Sequence, residues 1–172
     1  MGAMDTAARK AFLYRRTLAE AKGFGLEIVA EHSSADKPWG AYLRVAEGSL
    51  PAFYAAYWEG VEVPELKPGL RLDPKLLIVE PGARLSLQYH HRRGEHWRVL
   101  DGPVKVVTGT GEHDLTETVG QPGDVLRIPQ GQWHRLVGME TWGRVAEIWE
   151  HTDQAAPSGE DDIVRVQDDF GR

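Results

Sequence analysis

The chain contains no cysteine. Disulfides and thiolate metal sites are therefore excluded, and any bound metal must rely on nitrogen and oxygen donors. No stretch approaches the roughly 18 consecutive apolar residues of a membrane-spanning helix. The region after Met1 also lacks the apolar core of a secretory signal. Positive charge is not in excess: 26 acidic residues against 20 Lys and Arg give a formal net charge of −6. A nucleic-acid surface is not indicated, although a local pocket for an anionic substrate remains compatible with that total. No repeat at solenoid spacing occurs. What is present is 172 residues with 41% hydrophobic content, which suits one domain with its own core. The expectation is a cytoplasmic protein with no nucleic-acid or membrane partner.

Residues 1–36 read as an N-terminal extension of helix and strand. Asp5 or Thr6 opens a helix that runs to about Lys22, with Ala8, Ala11, Phe12, Leu18 and Ala19 on one face and Gly23 and Gly25 at its end. Leu26, Ile28 and Ala30 alternate with polar residues as in a strand. Residues 37–172 read as a β-barrel domain. Within it, an insertion at about 49–74 gathers Phe53, Tyr54, Tyr57 and Trp58 among several prolines. It reads as a packed surface excursion with a short helix, with a lid or pocket wall as the alternative. After Pro74, short strand-like runs are separated by Pro-Gly, Asp-Gly and Pro-Gln-Gly turns, the pattern of a sandwich or barrel. Residues 157–172 form a charged tail in which Ile163, Val164, Val166 and Phe170 can dock.

Two spaced motifs stand out. The first runs Gly82, five residues, Gln88-x-His90, four residues, Glu95, six residues, Gly102. The second runs Gly123, five residues, Pro129-x-Gly131, two residues, His134. Strand residues two apart share a face, so Gln88 and His90 project together with Ser86 and Arg84 behind them. Glu95 returns after a turn, and the Pro-Gln-Gly turn re-aims the chain so that His134 completes the set. Gln88, His90, Glu95 and His134 make a mixed N/O donor set for one divalent ion: Zn²⁺ first, with Mn²⁺, Fe²⁺, Co²⁺ or Ni²⁺ as alternatives. His32, His113 and His151 read as surface residues. His91 and His96 neighbour proposed ligands, but strand parity points them elsewhere.

The paired motifs resemble those of the cupin superfamily, with Gln88 in place of the first His and Gly138 in place of the terminal Asn. The chain more closely resembles the C-terminal cupin domain of type II phosphomannose (mannose-6-phosphate) isomerases. The residues that carry this are Lys37 to Gly40, the run Leu85 to Trp97, and the ending Gly159 to Arg165 with Asp168 to Arg172. The family's Gln-x-His-His-His-Arg-Ala-Glu-His-Trp run is followed closely, with Arg92 replacing its third His and Gly94 its Ala. The implied fold is all-β: a cupin, the double-stranded β-helix or jelly-roll barrel, with an additional N-terminal α-helix. No Gly-rich sugar-nucleotide signature occurs, so guanylyltransferase activity is not implied.

The resemblance implies metal-dependent interconversion of mannose 6-phosphate and fructose 6-phosphate through an enediol. Such chemistry needs a base to shuttle a proton between adjacent carbons. Glu147 is the chosen base over Glu150, which strand parity sends to the other face. Ser86, Arg93 and Lys75 are the candidates for binding the phosphate and sugar, and Arg144 is a further cation for the site. Arg165 reads as an anchor for the tail. The resemblance, together with the exposed edges of any open barrel, implies a homodimer. Rival readings are an isomerase of another sugar such as lyxose or a heptose phosphate, an iron dioxygenase, and a non-catalytic sugar-binding cupin.

Overall fold

The computed structural model describes residues 5–65 and 67–172. The first four residues of the 1–36 extension, and Leu66 of the 49–74 segment, lie outside the described residues. Helix α1, Thr6–Gly23, starts after Asp5, whose side chain makes no capping bond. Past its end, Gly25 takes a φ of +78°, a left-handed turn that glycine adopts without steric cost. The face it buries is Leu13, Thr17 and Ala21, spaced four apart, whereas Phe12 is exposed. The sequence reading had the helix rotated: Leu13 and Ala21 pack inward with Tyr14 and Leu18 at their flank. Leu26–Ala30 does not form the expected strand. Only an isolated bridge, Ile28 to Val45, precedes a 3₁₀ turn at Ala30–His32. The Ser33 hydroxyl accounts for this: it donates to the Val29 carbonyl and accepts from Arg44 N–H, taking up groups a ladder would use.

Among the described residues eleven strands follow: β1 (Ser34–Lys37), β2 (Gly40–Arg44), β3 (Leu72–Val79), β4 (Leu87–His90), β5 (Arg93–Asp101), β6 (Val104–Gly109), β7 (Thr116–Gly120), β8 (Val125–Ile128), β9 (Trp133–Gly138), β10 (Gly143–His151) and β11 (Ile163–Gln167). They form two antiparallel sheets, ordered β1-β2-β3-β10-β5-β8 and β11-β4-β9-β6-β7. The result is the expected jelly-roll barrel. Strand β3 begins earlier than the sequence indicated and runs through Pro74. The N–H and C=O of a strand residue point the same way. The Pro74 carbonyl accepts from Val45 N–H, so its missing donor faces a residue beyond the end of β2.

Every residue of β3 is buried, as are nearly all of β10. Both faces of the sheet are covered, so simple alternation disappears. On one side, Leu72, Leu76, Ala146 and Ile148 pack with Leu43 of β2 against Phe53, Tyr57 and Trp58 of a second helix, α2 (Leu50–Tyr57), and the residue that follows it. On the other side, Leu77, Val79 and Val145 join Trp97, Val99, Val104, Val106 and Leu136 inside the barrel. The 49–74 segment is thus a packed layer on the outer face. Among the described residues, 49–71 line no part of the barrel cavity, where a lid or pocket wall would sit; Asp73, near the start of β3, is the residue of the segment that turns into the barrel.

Candidate functional site

The barrel interior gathers side chains from both sheets. In β10, residues 145, 147, 149 and 151 point inward, while 144, 146, 148 and 150 face the helical layer. The register then builds layers across the sheet. Lys75, Glu147 and Trp97 sit side by side, then Asp73, Trp149 and Glu95, with His151 opposite Arg93. From the opposing sheet, Gln88 pairs directly with His134.

His90, Glu95 and His134 converge. The two Nε2 atoms are 3.3 Å apart, and they lie 3.1 and 3.5 Å from the Glu95 oxygens. Each ring donates through Nδ1 to a main-chain carbonyl: His90 to Asp162 O at 3.3 Å and His134 to Gln132 O at 2.9 Å. A carbonyl can only accept, so each Nδ1 carries a proton and each Nε2 can offer a lone pair. Burial pushes the His90 pKa down, which favours the neutral ring a metal requires. Burial works against ionisation of Glu95. The charge that His134 carries when protonated, and the Arg93 guanidinium, nevertheless hold its carboxyl well below the usual range. Converging lone pairs and a carboxylate in a buried space call for a cation, so the residues present fit a divalent ion.

Gln88 stands 3.4 Å from His90 Nε2 through its amide nitrogen, while its oxygen accepts from the Ser86 hydroxyl at 2.7 Å. A half-turn of the amide would present the oxygen to the centre, with the Ser86 hydroxyl accepting instead. Ser86, Lys75, Arg93 and Glu147 all line the same cavity of about 390 Å³, beside Gln88 and Glu95.

Arg93 is almost fully buried. It donates to Glu95 Oε1 at 2.9 Å and to the Ser158 hydroxyl at 2.9 Å, and its guanidinium lies 3.4 Å from the Trp149 ring centre. The Lys75 ammonium lies 3.0 Å from that same centre. Burial lowers the Lys75 pKa to about 8, against the pull of Glu147. Burial, and then the charge of Glu95, raise Glu147 to about 8. The Trp97 indole N–H links the two carboxyls, donating to Glu95 Oε2 at 2.9 Å and to Glu147 Oε1 at 3.1 Å.

Arg144 does not join this group, which corrects its placement in the site. It lies three residues from Glu147 and therefore faces the helical layer, where it pairs with Asp101 and Glu20. Glu150 also faces outward and binds His96. His151 is a second correction: it is buried inside the barrel, with Nε2 at 2.7 Å from Asp73 Oδ2. Arg84 leaves the ligand face and pairs with Asp169, because β4 becomes regular only at Leu87. Arg165 pairs with Glu160, not with the tail aspartates, and lines the cavity. Trp149, Ser158 and Asp162 are site residues that sequence reasoning missed. The Gly159–Asp162 run in the tail motif was the one signal for the last of these.

Several known proteins are similar to this chain. The family described as Mannose-6-phosphate isomerase C-terminal matches residues 25–168. The chain is 31% identical over 158 residues to the Xanthan biosynthesis protein XanB of Xanthomonas campestris pv. campestris (strain B100), covering 92% of this chain and 28% of that protein. It is 32% identical over 148 residues to the Alginate biosynthesis protein AlgA of Pseudomonas aeruginosa, covering 86% and 25%. A Mannose-1-phosphate guanylyltransferase of Klebsiella pneumoniae is 34% identical over 102 residues, covering 59% and 20%. The chain thus spans about a quarter of the length of the first two curated relatives. Among solved structures, oxalate decarboxylase from Bacillus subtilis matches with a TM-score of 0.57 at 16% identity, over 78% of this chain and 30% of that one. The capsular polysaccharide assembling protein CapF from Staphylococcus aureus matches with a TM-score of 0.53 at 16% identity, over 83% and 34%. At such identity these structures speak to the fold alone.

Proposed function

Since the chain belongs to the mannose-6-phosphate isomerase C-terminal family, we propose that it is a metal-dependent aldose–ketose isomerase of a sugar phosphate, interconverting mannose 6-phosphate and fructose 6-phosphate. The observation that carries this reading is one cavity that reaches the buried His90–Glu95–His134 donor cluster through Glu95 and is lined besides by a further buried carboxyl at Glu147 and two buried cations, Lys75 and Arg93. Gln88, His90, Glu95 and His134 would hold the ion, Zn²⁺ first, which supplies Lewis acidity toward the sugar's carbonyl oxygen.

Glu147 is the proton carrier. It lines the cavity beside Glu95, with the Trp97 N–H fixing one of its oxygens. A carboxyl raised toward neutrality can both accept and return a proton near pH 7. It removes the proton from one carbon of the C1–C2 pair and delivers it to the other on the same face. Arg93 and Lys75, clamped against Trp149, supply positive charge toward the substrate's anionic groups without needing to reorganise. Ser86 offers a hydroxyl to the sugar on the same wall. The protein acts as a homodimer in this reading, with no nucleic-acid or membrane partner. No helix among the described residues is long and apolar enough to cross a membrane.

The test is a panel of mannose 6-phosphate, fructose 6-phosphate, lyxose and heptose phosphates, assayed with Zn²⁺, Mn²⁺, Fe²⁺, Co²⁺ and Ni²⁺. The reading expects turnover of the mannose–fructose phosphate pair, with solvent deuterium entering C1 of fructose 6-phosphate formed from the aldose, or C2 of mannose 6-phosphate formed from the ketose. Turnover of free sugars alone, or loss of Glu95 and His134 without loss of metal, would refute it.

A further inference from the structure

We propose that Ser158 and Asp162 of the C-terminal tail are positioning residues of the metal centre, so that docking of the tail sets how tightly the ion is held. This rests on the metal-binding reading above and adds to it a control element outside the four ligands. Strand β4 carries two of those ligands, yet its ladder with β9 consists of the single pair Gln88–His134. On its other side β4 is held by the tail, where Ile163 pairs with His90, Val164 with Tyr89 and Arg165 with Gln88.

Side chains reinforce that grip. Asp162 is 2% exposed. Its carboxylate accepts the main-chain N–H of His91 at 3.1 Å and of Arg92 at 2.9 Å, and the Ser158 hydroxyl at 2.6 Å. It thereby fixes the turn between His90 on one sheet and Glu95 on the other. Its main-chain carbonyl accepts from His90 Nδ1, which sets the ring's tautomer and aims Nε2 at the centre. Ser158, also buried, accepts from Arg93, the guanidinium that also binds Glu95. Its own N–H donates to His151 Nδ1 at 2.9 Å, and His151 is in turn tied to Asp73 of β3. The tail is thus joined to both sheets immediately behind the donor cluster. Partners in this position typically account for about 10- to 100-fold in metal affinity.

The experiment is titration of the metal-free full chain with Co²⁺, followed by its visible absorption, with Zn²⁺ competition and a thermal melt of each metal-free protein. Asp162→Asn keeps the shape but loses an acceptor, and Ser158→Ala removes the hydroxyl while keeping the backbone donor. Asp161→Asn is the control: it makes the same change of charge one residue away, on an exposed carboxylate that meets only the Arg92 side chain. The expected result is Co²⁺ binding weakened about tenfold or more in Asp162→Asn and about threefold in Ser158→Ala, with altered band positions. Asp161→Asn should stay within about twofold of wild type. A folded Asp162→Asn protein that binds Co²⁺ within about twofold of wild type overturns the proposal. Should that variant fail to fold, unchanged affinity and spectrum in Ser158→Ala overturn it instead. Wild-type protein that takes up no Co²⁺ or Zn²⁺ would defeat the metal reading itself, a different failure.

Discussion

Replacing Asp73 by Asn should weaken the fold in a pH-dependent way that the structure allows to be worked out. Asp73 is 2% exposed at the inner end of β3. Burial by itself would raise its pKa. The hydrogen bonds from His151 and Arg71, with the charges of Arg44 and Arg71, overcome this and lower it from 3.8 to about 2. That drop corresponds to about 2.4 kcal/mol, at about 1.36 kcal/mol per tenfold change in proton affinity. The group binds its proton more weakly when folded. The contribution is therefore complete well above pH 3.8 and disappears as the pH falls through about 2. At neutral pH the variant should lose about 3 kcal/mol, the low end for breaking a buried ion pair, because the half-exposed Arg71 can rehydrate. Urea unfolding followed by tryptophan fluorescence, run from pH 7 to pH 2, reads both values. The gap between wild type and variant should narrow by about 2 kcal/mol over that range, and a gap that stays constant would refute the assignment.

Glu147→Gln should retain metal while kcat falls by about 100-fold or more, as expected when a positioned proton carrier is removed; elemental analysis beside the isomerase assay checks this. Lys75→Met should raise KM for a phosphorylated substrate well above any effect on the unphosphorylated sugar, which steady-state kinetics on both substrates will show. Gly138→Asn should destabilise by about 3 kcal/mol, seen as a lowered Tm, because a Cβ at that position overlaps the Glu80 carbonyl oxygen of the adjoining backbone. The same overlap explains why glycine stands where the common second motif ends in asparagine.

The convergence of His90, Glu95 and His134 was legible because each part of it is local. Gln88 and His90 are two apart on one strand, and the two motifs carry their own turns. Glu147 was legible from parity, and the same count could have removed Arg144, since positions three apart in a strand face opposite ways. His151 was misplaced because nothing near it in sequence marks it as buried; its partner Asp73 lies 78 residues away. Ser158 and Asp162 hold groups 65 to 72 residues distant, so their contacts follow from barrel closure and not from any spacing pattern. The N-terminal helix was read correctly in extent and wrongly in rotation. Its alanines fit several faces, and only contact with Ala41 and Ile78 selects the one that carries Leu13.

Strands β3 and β10 have one consequence beyond the site itself. Their even-numbered residues, Leu72, Leu76, Ala146 and Ile148, are seated under the helical layer, while Lys75, Glu147 and Trp149 look into the chamber. The same two strands therefore carry two separable inheritances, the chamber positions 75, 147 and 149 and the seated even set. Substitutions at the chamber positions can change what the chamber admits while the even set, with Asp73 and the core residues Leu77, Val79 and Val145, keeps the scaffold folded. A lineage built on this sheet can change what its chamber holds without first having to learn to fold again.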